Sequence, residues 1–102
     1  MQRDSSTSQP NTIRRFALGQ TFITPGAEEA LMIAGQTALE FLRRHMCGDF
    51  GELPEDDLRQ NDLSLKEGFR LLSAYRTAKG QKLWIITEAD RSSTTILLPS
   101  DY

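Results

Sequence analysis

The stretch FRLLSAYRTAKGQKLWIITEADRSSTTILLP, residues 69–99, decides the fold. Its apolar and β-branched residues alternate with polar ones at a period of two, the signature of strands with one buried face. Three runs emerge. Residues 69–77 form the first, residues 82–88 (KLWIITE) the second and residues 93–98 (STTILL) the third, closed by Pro99. Between the first two lies Ala78-Lys79-Gly80-Gln81, a hairpin turn with glycine where a positive φ is needed. Ala89-Asp90-Arg91-Ser92 separates the second from the third. Turns this short leave antiparallel pairing as the simple solution, so the C-terminal third reads as a three-stranded antiparallel meander.

Upstream of residue 69 the apolar period becomes helical. Thr24-Pro25-Gly26 opens a first helix: Thr24 is a good N-cap, and proline suits the first helical position because its missing N–H would be unpaired there. Ala27, Ala30, Leu31 and Ala34 form its apolar stripe, and Gly35 ends it. Thr37 with Glu40 three residues on reads as a capping box for a second helix, whose apolar positions are Leu39, Leu42 and Met46 with Ala38, Phe41 and His45 beside them. Gly48 stops it. Pro54 opens a third helix, with Glu55, Asp56 and Asp57 in the first turn, where the helix dipole favours negative charge. Leu58, Leu65 and Asn61 are its expected inner face, and Gly68 its end. Residues 20–23 read as an additional N-terminal edge strand. The fold class is therefore α+β, with two or three N-terminal helices packed on the meander.

The chain has 102 residues, enough for one domain. Residues 1–12, MQRDSSTSQPNT, carry no apolar residue after Met1 and read as a disordered tail, leaving residues 13–102 as the domain. The tail has no apolar central segment of a signal peptide, and no run approaches the length of a membrane span. One cysteine, Cys47, excludes an internal disulfide. These features point to a cytoplasmic protein. A formal net charge of −2 argues against a protein that coats nucleic acid and suits an acidic face turned to a basic protein partner.

Few residues suggest chemistry. His45, the one histidine, is the candidate general acid/base; its structural alternative is a solvent-facing or partly packed residue near a helix C-terminus, where the dipole favours the charged form. Cys47 sits at the wrong helix end for a reactive thiolate. No ligand spacing fits a metal, and nothing calls for a cofactor. The acidic run of the third helix reads as a partner face or as dipole complement and solubility. The densest polar cluster is Glu88, Asp90, Arg91 and Ser92. With Tyr75 and Trp84, and with Arg70 and Arg76, it would form one aromatic-basic surface on the meander, suited to a protein interface or an RNA strand.

The wording of residues 24–27, 35–37, 40–45, 48–51, 72–75 and 83–99 resembles a family of short bacterial proteins found on plasmids, phages and integrated mobile elements. The resemblance covers residues 16–102. It implies a mobile-element accessory protein and carries no activity. Some members bear the label of a type I restriction subunit M, but this chain has neither a methyl-donor glycine loop nor an Asn-Pro-Pro-Tyr-type motif. In layout alone, helices bearing a histidine before an antiparallel sheet are similar to the barnase, colicin and RelE-like toxin ribonucleases. That similarity implies His45 as acid/base, Arg70 or Arg91 opposite the phosphorane charge, and Tyr75 or Thr95 orienting the phosphate. Three readings follow: a protein-binding module acting on a host defence or restriction component, a ribonuclease-type enzyme using His45, Tyr75 and Arg91, and a homodimer built on an exposed sheet edge.

Overall fold

The computed structural model describes residues 13–102; the expected tail, residues 1–12, lies outside the described residues. The chain runs through β1 (Gln20–Ile23), α1 (Pro25–Ala34), α2 (Ala38–Met46), α3 (Glu55–Glu67), β2 (Leu71–Arg76), β3 (Lys82–Thr87) and β4 (Ser93–Leu97), then a 3-10 turn at Pro99–Asp101. The class is α+β with three helices. The three C-terminal strands form the expected meander and the expected edge strand at residues 20–23 is present, but it joins them in one four-stranded sheet, order β1-β4-β3-β2, that is mixed rather than wholly antiparallel. β2, β3 and β4 pair antiparallel in sequence, and β1 joins β4 in parallel, with Thr21 opposite Thr94 and Ile23 opposite Ile96. β1 precedes the three helices and is far in sequence from β4, so no tight turn links the two strands and the antiparallel sense that short turns impose on β2, β3 and β4 does not extend to it.

Helix ends follow the capping chemistry. The Thr24 hydroxyl accepts from Ala27 N–H and donates to Asp101 Oδ2 at 2.6 Å, tying the start of α1 to the end of the chain. Thr37 Oγ1 accepts from Glu40 N–H at 3.3 Å. The expected capping box is only half formed, because the Glu40 carboxylate accepts instead from Gln36 Nε2 at 2.9 Å.

Alternation in the strands sets two faces. The inner face carries Leu71, Ser73, Tyr75, Leu83, Ile85, Thr87, Thr94 and Ile96, all buried. Helices α1 and α2 cover it with Ala27, Ala30, Leu31, Phe41 and Leu42. Leu39, expected among the apolar positions of α2, is 53% exposed. The third helix departs further. Leu58 is exposed, and the buried positions of α3 are Asn61 and Ser64. The helix lies along the β2 edge, where polar groups are needed. Asn61 Nδ2 donates to Leu72 O at 2.7 Å and its Oδ1 accepts from Leu72 N–H at 3.1 Å, so one side chain stands in for a neighbouring strand. Residues 50–52 supply the rest: Ala74 N–H donates to Phe50 O and Glu52 N–H donates to Ala74 O. Gly51 makes this approach feasible. Its φ is +75°, and a Cβ there would fall 2.1 Å from Ala74 O.

Candidate functional site

His45 sits on the last turn of α2 and is wholly buried. It does not face solvent and is not partly packed. Inner-face alternation brings Ser73, Thr87 and Thr94 beneath it, and Thr87 and Thr94 are directly paired across β3 and β4. Nδ1 lies 2.5 Å from Ser73 Oγ and Nε2 lies 2.8 Å from Thr87 Oγ1. Thr87 Oγ1 lies 2.7 Å from Thr94 Oγ1, and Thr94 Oγ1 donates to Leu18 O at 2.7 Å.

The chain of bonds fixes the proton positions. A carbonyl only accepts, so the Thr94 proton is committed to Leu18. Thr87 must then donate to Thr94, which leaves its oxygen to accept from His45 Nε2–H. His45 Nδ1 is the acceptor, and Ser73 donates to it. The imidazole is neutral, with its hydrogen on Nε2. Phe16 and Phe50 close the site edge-on, at 5.0 and 6.0 Å between ring centroids. Burial, reinforced by the charge of Arg91, pushes the His45 pKa down to about 3. Burial outweighs any helix-dipole preference for the charged form.

Arg91 is likewise committed. It has a φ of +62°, the one non-glycine residue in the left-handed region among the described residues. In that conformation its guanidinium donates to four carbonyls: Phe69 at 2.7 Å, Glu88 at 3.1 Å, Ala89 at 3.0 Å and Ser64 at 3.0 Å. Ser64 and Phe69 belong to the C-terminal end of α3 and the loop after it, where the dipole is negative. Arg91 thus locks the β3–β4 turn onto α3. Asp90 and Ser92 serve the same turn, with Ser92 N–H donating to Asp90 Oδ1. Glu88 pairs with Arg70 at 3.3 Å, and Arg70 also donates to the Tyr102 hydroxyl.

Tyr75 and Trp84 do not share a surface. Tyr75 is on the inner face, where its hydroxyl donates to Asp49 O at 2.5 Å and its ring packs on Phe41 and under the Arg44 guanidinium. Burial holds its phenol well above the ordinary range. Trp84 is one register position away, opposite Ala74, and so lies on the outer face. The aromatic-basic surface expected from sequence therefore splits in two. His45 and Tyr75 belong to the core, Arg91 to a turn, and half-buried Trp84 to the outer face.

Among the described residues α1 and α2 pack on the inner face, and the outer face is flanked by α3 and the C-terminal 3-10 turn. Its rows read Phe22–Thr95–Ile86–Leu72 and Leu97–Trp84–Ala74 across the strands. Trp84 is half-buried and stands edge-on to Tyr102, with centroids 5.8 Å apart. Beside it a cavity of about 300 Å³ is lined by Asp57, Gln60, Arg70, Leu72, Ile86 and Tyr102, among others. A second hollow, lined by Glu52, Leu53, Pro54, Asp57, Ala74 and Lys82, also reaches Leu72 and Trp84. Together they make a groove between α3 and the sheet. Its rim charges are largely matched: Arg70 pairs with Glu88 and Arg76 with Glu52. Tyr102, Leu72 and Ile86 were not among the residues singled out from sequence; the period-two pattern places Leu72 and Ile86 on Trp84's face, and Tyr102 follows only from the 3-10 turn.

Among the described residues no group of three or more His, Cys, Asp or Glu side chains gathers to hold a metal ion, and no helix is long and apolar enough to cross a membrane. Comparisons with protein-family models, with curated proteins and with solved structures return no match.

Proposed function

We propose that this chain is a small cytoplasmic protein-binding module of a mobile element, and that its binding surface is the outer face of the sheet centred on Trp84. One observation carries the reading. Half-buried Trp84 lines a largely apolar cavity beside an exposed aromatic, Tyr102, with ion pairs at the rim. Protein interfaces have this organisation: a few large anchors in a desolvated centre surrounded by polar groups. The charge balance of the face suits a protein rather than a phosphate backbone, which needs unmatched cations along its path. The resemblance to mobile-element proteins makes a host defence or restriction component the class of partner to examine first.

The ribonuclease-type reading draws no support from the geometry. It needs His45 at a surface with a free nitrogen, and both nitrogens are engaged in the core. A photo-crosslinking residue placed at Tyr102, on the outer face, is expected to capture the partner in cells. The same residue at Leu39, on the exposed side of α2, is expected to capture nothing specific. Equal adducts at both positions, or none at Tyr102, would overturn the assignment.

A further inference from the structure

The two edges of the sheet are treated differently. At the β2 edge, the outward-pointing backbone groups of Leu72 and Ala74 are all satisfied, by Asn61 and by residues 50–52. At the β1 edge nothing among the described residues plays that part. Gln20 and Thr24 donate their N–H groups to Ser92 O and Ile96 O of the β4 side. Alternation in a parallel ladder then turns Gln20, Phe22 and Thr24 toward β4, and the N–H and C=O groups of Thr21 and Ile23 outward. The strand reads QTFI. It has no charge, no proline and no bulge, the usual guards of an exposed edge. Thr21 is exposed and Phe22 is 52% exposed.

We propose that β1 pairs antiparallel with β1 of a second copy, joining two sheets into one of eight strands. The register follows from the ladder. Thr21 and Ile23 are the outward residues, so a two-fold axis beside Phe22 sets Thr21 opposite the partner's Ile23 and the reverse. Each of these is a hydrogen-bonded pair, exchanging both N–H···O bonds. Phe22, whose backbone faces β4, falls opposite the partner's Phe22 in the non-hydrogen-bonded position, where Cα atoms approach to about 4.5 Å and side chains are closest. Both Phe22 rings lie on the outer face and extend the row Phe22–Thr95–Ile86–Leu72 across the axis. An uncharged strand opposes no like charges when it meets itself, which favours a second copy over a charged partner segment. The pairing does not depend on the groove at Trp84, and either can fail without the other.

Sedimentation equilibrium of the full chain tests it. The wild type is expected to reach twice 11.5 kDa as concentration rises. Thr21→Pro removes an outward N–H without touching the β4 ladder, and Phe22→Lys sets two like charges face to face; each is expected to return the mass to 11.5 kDa while far-ultraviolet circular dichroism stays native. Hydrogen exchange keeps the test decisive should either variant fold poorly. In the wild type the Thr21 and Ile23 amides are expected to slow by about tenfold or more between monomer and dimer concentrations. A wild type that stays monomeric, a dimer that survives in both folded variants, or unchanged exchange at these two amides would overturn the proposal.

Discussion

Lowering the pH from neutral should destabilise this domain through one residue, His45. A group whose folded pKa lies below its unfolded value takes up its proton first in the unfolded chain, so acid favours unfolding. For His45 the ordinary value of 6.5 falls to about 3 in the folded state. Its contribution is complete above pH 6.5 and is lost as the pH falls toward about 3. Each pH unit in that window removes about 1.4 kcal/mol, so about 2 kcal/mol is gone by about pH 5 and about 5 kcal/mol at the lower limit. A domain this small has only about 5–15 kcal/mol in total. Carboxylates confuse the lower part of the window: Asp49, held down by its hydrogen bond from Arg44, begins to destabilise the fold only as its own protonation range is reached. Between about pH 6.5 and 5 the slope belongs to the chain's single histidine. Urea unfolding at a series of pH values, followed by Trp84 fluorescence, reads it directly. His45→Gln, which can still donate and accept, should flatten the slope. A wild-type stability that does not change between about pH 7.5 and 5, or an imidazole that titrates near its ordinary value by NMR, would refute the burial argument.

Other consequences follow from single contacts. Asn61→Leu leaves the N–H and C=O of Leu72 without partners and should cost about 2–4 kcal/mol in thermal or urea unfolding, whereas Asp62→Ala on the exposed side of α3 should change little. Arg91→Lys keeps the charge but cannot reach four carbonyls with a fork; a loss of about 1–3 kcal/mol is expected, read as a lower urea midpoint with unchanged slope. Gly51→Ala brings a methyl against Ala74 O at a positive φ, and should strip residues 50–52 from the β2 edge, seen as faster exchange of the Ala74 and Glu52 amides.

Strand periodicity made the three C-terminal strands legible, and capping chemistry made the helices so. Thr24, Thr37 and the glycines at 35 and 68 mark ends that the structure places within a residue or two. Pairing partners were not legible. Nothing in QTFI says that it joins β4 in parallel, because that depends on where three helices return the chain. The misplaced surface has the same origin. Tyr75 and Trp84 are both aromatic residues on adjacent strands, but register sets their faces, and register comes from the length of the 77–81 turn. His45 looked like a chemical group because histidine alone titrates near neutrality. Its true setting depends on Ser73, Thr87 and Thr94, three hydroxyls that only folding brings together. Asn61 and Arg91 were read as parts of a helix face and a polar turn, and both turn out to bond backbone groups distant in sequence, which no local pattern signals.

On the proposed function the partner binds the outer sheet face and not the surroundings of His45. Affinity capture from cells that naturally express the protein, with the wild type beside folded Trp84→Ala, Leu39→Ala and His45→Gln variants, tests it most directly. One partner is expected to be retained by the wild type, Leu39→Ala and His45→Gln, and lost from Trp84→Ala. Retention of that partner by Trp84→Ala, or its loss from a folded His45→Gln, would contradict it.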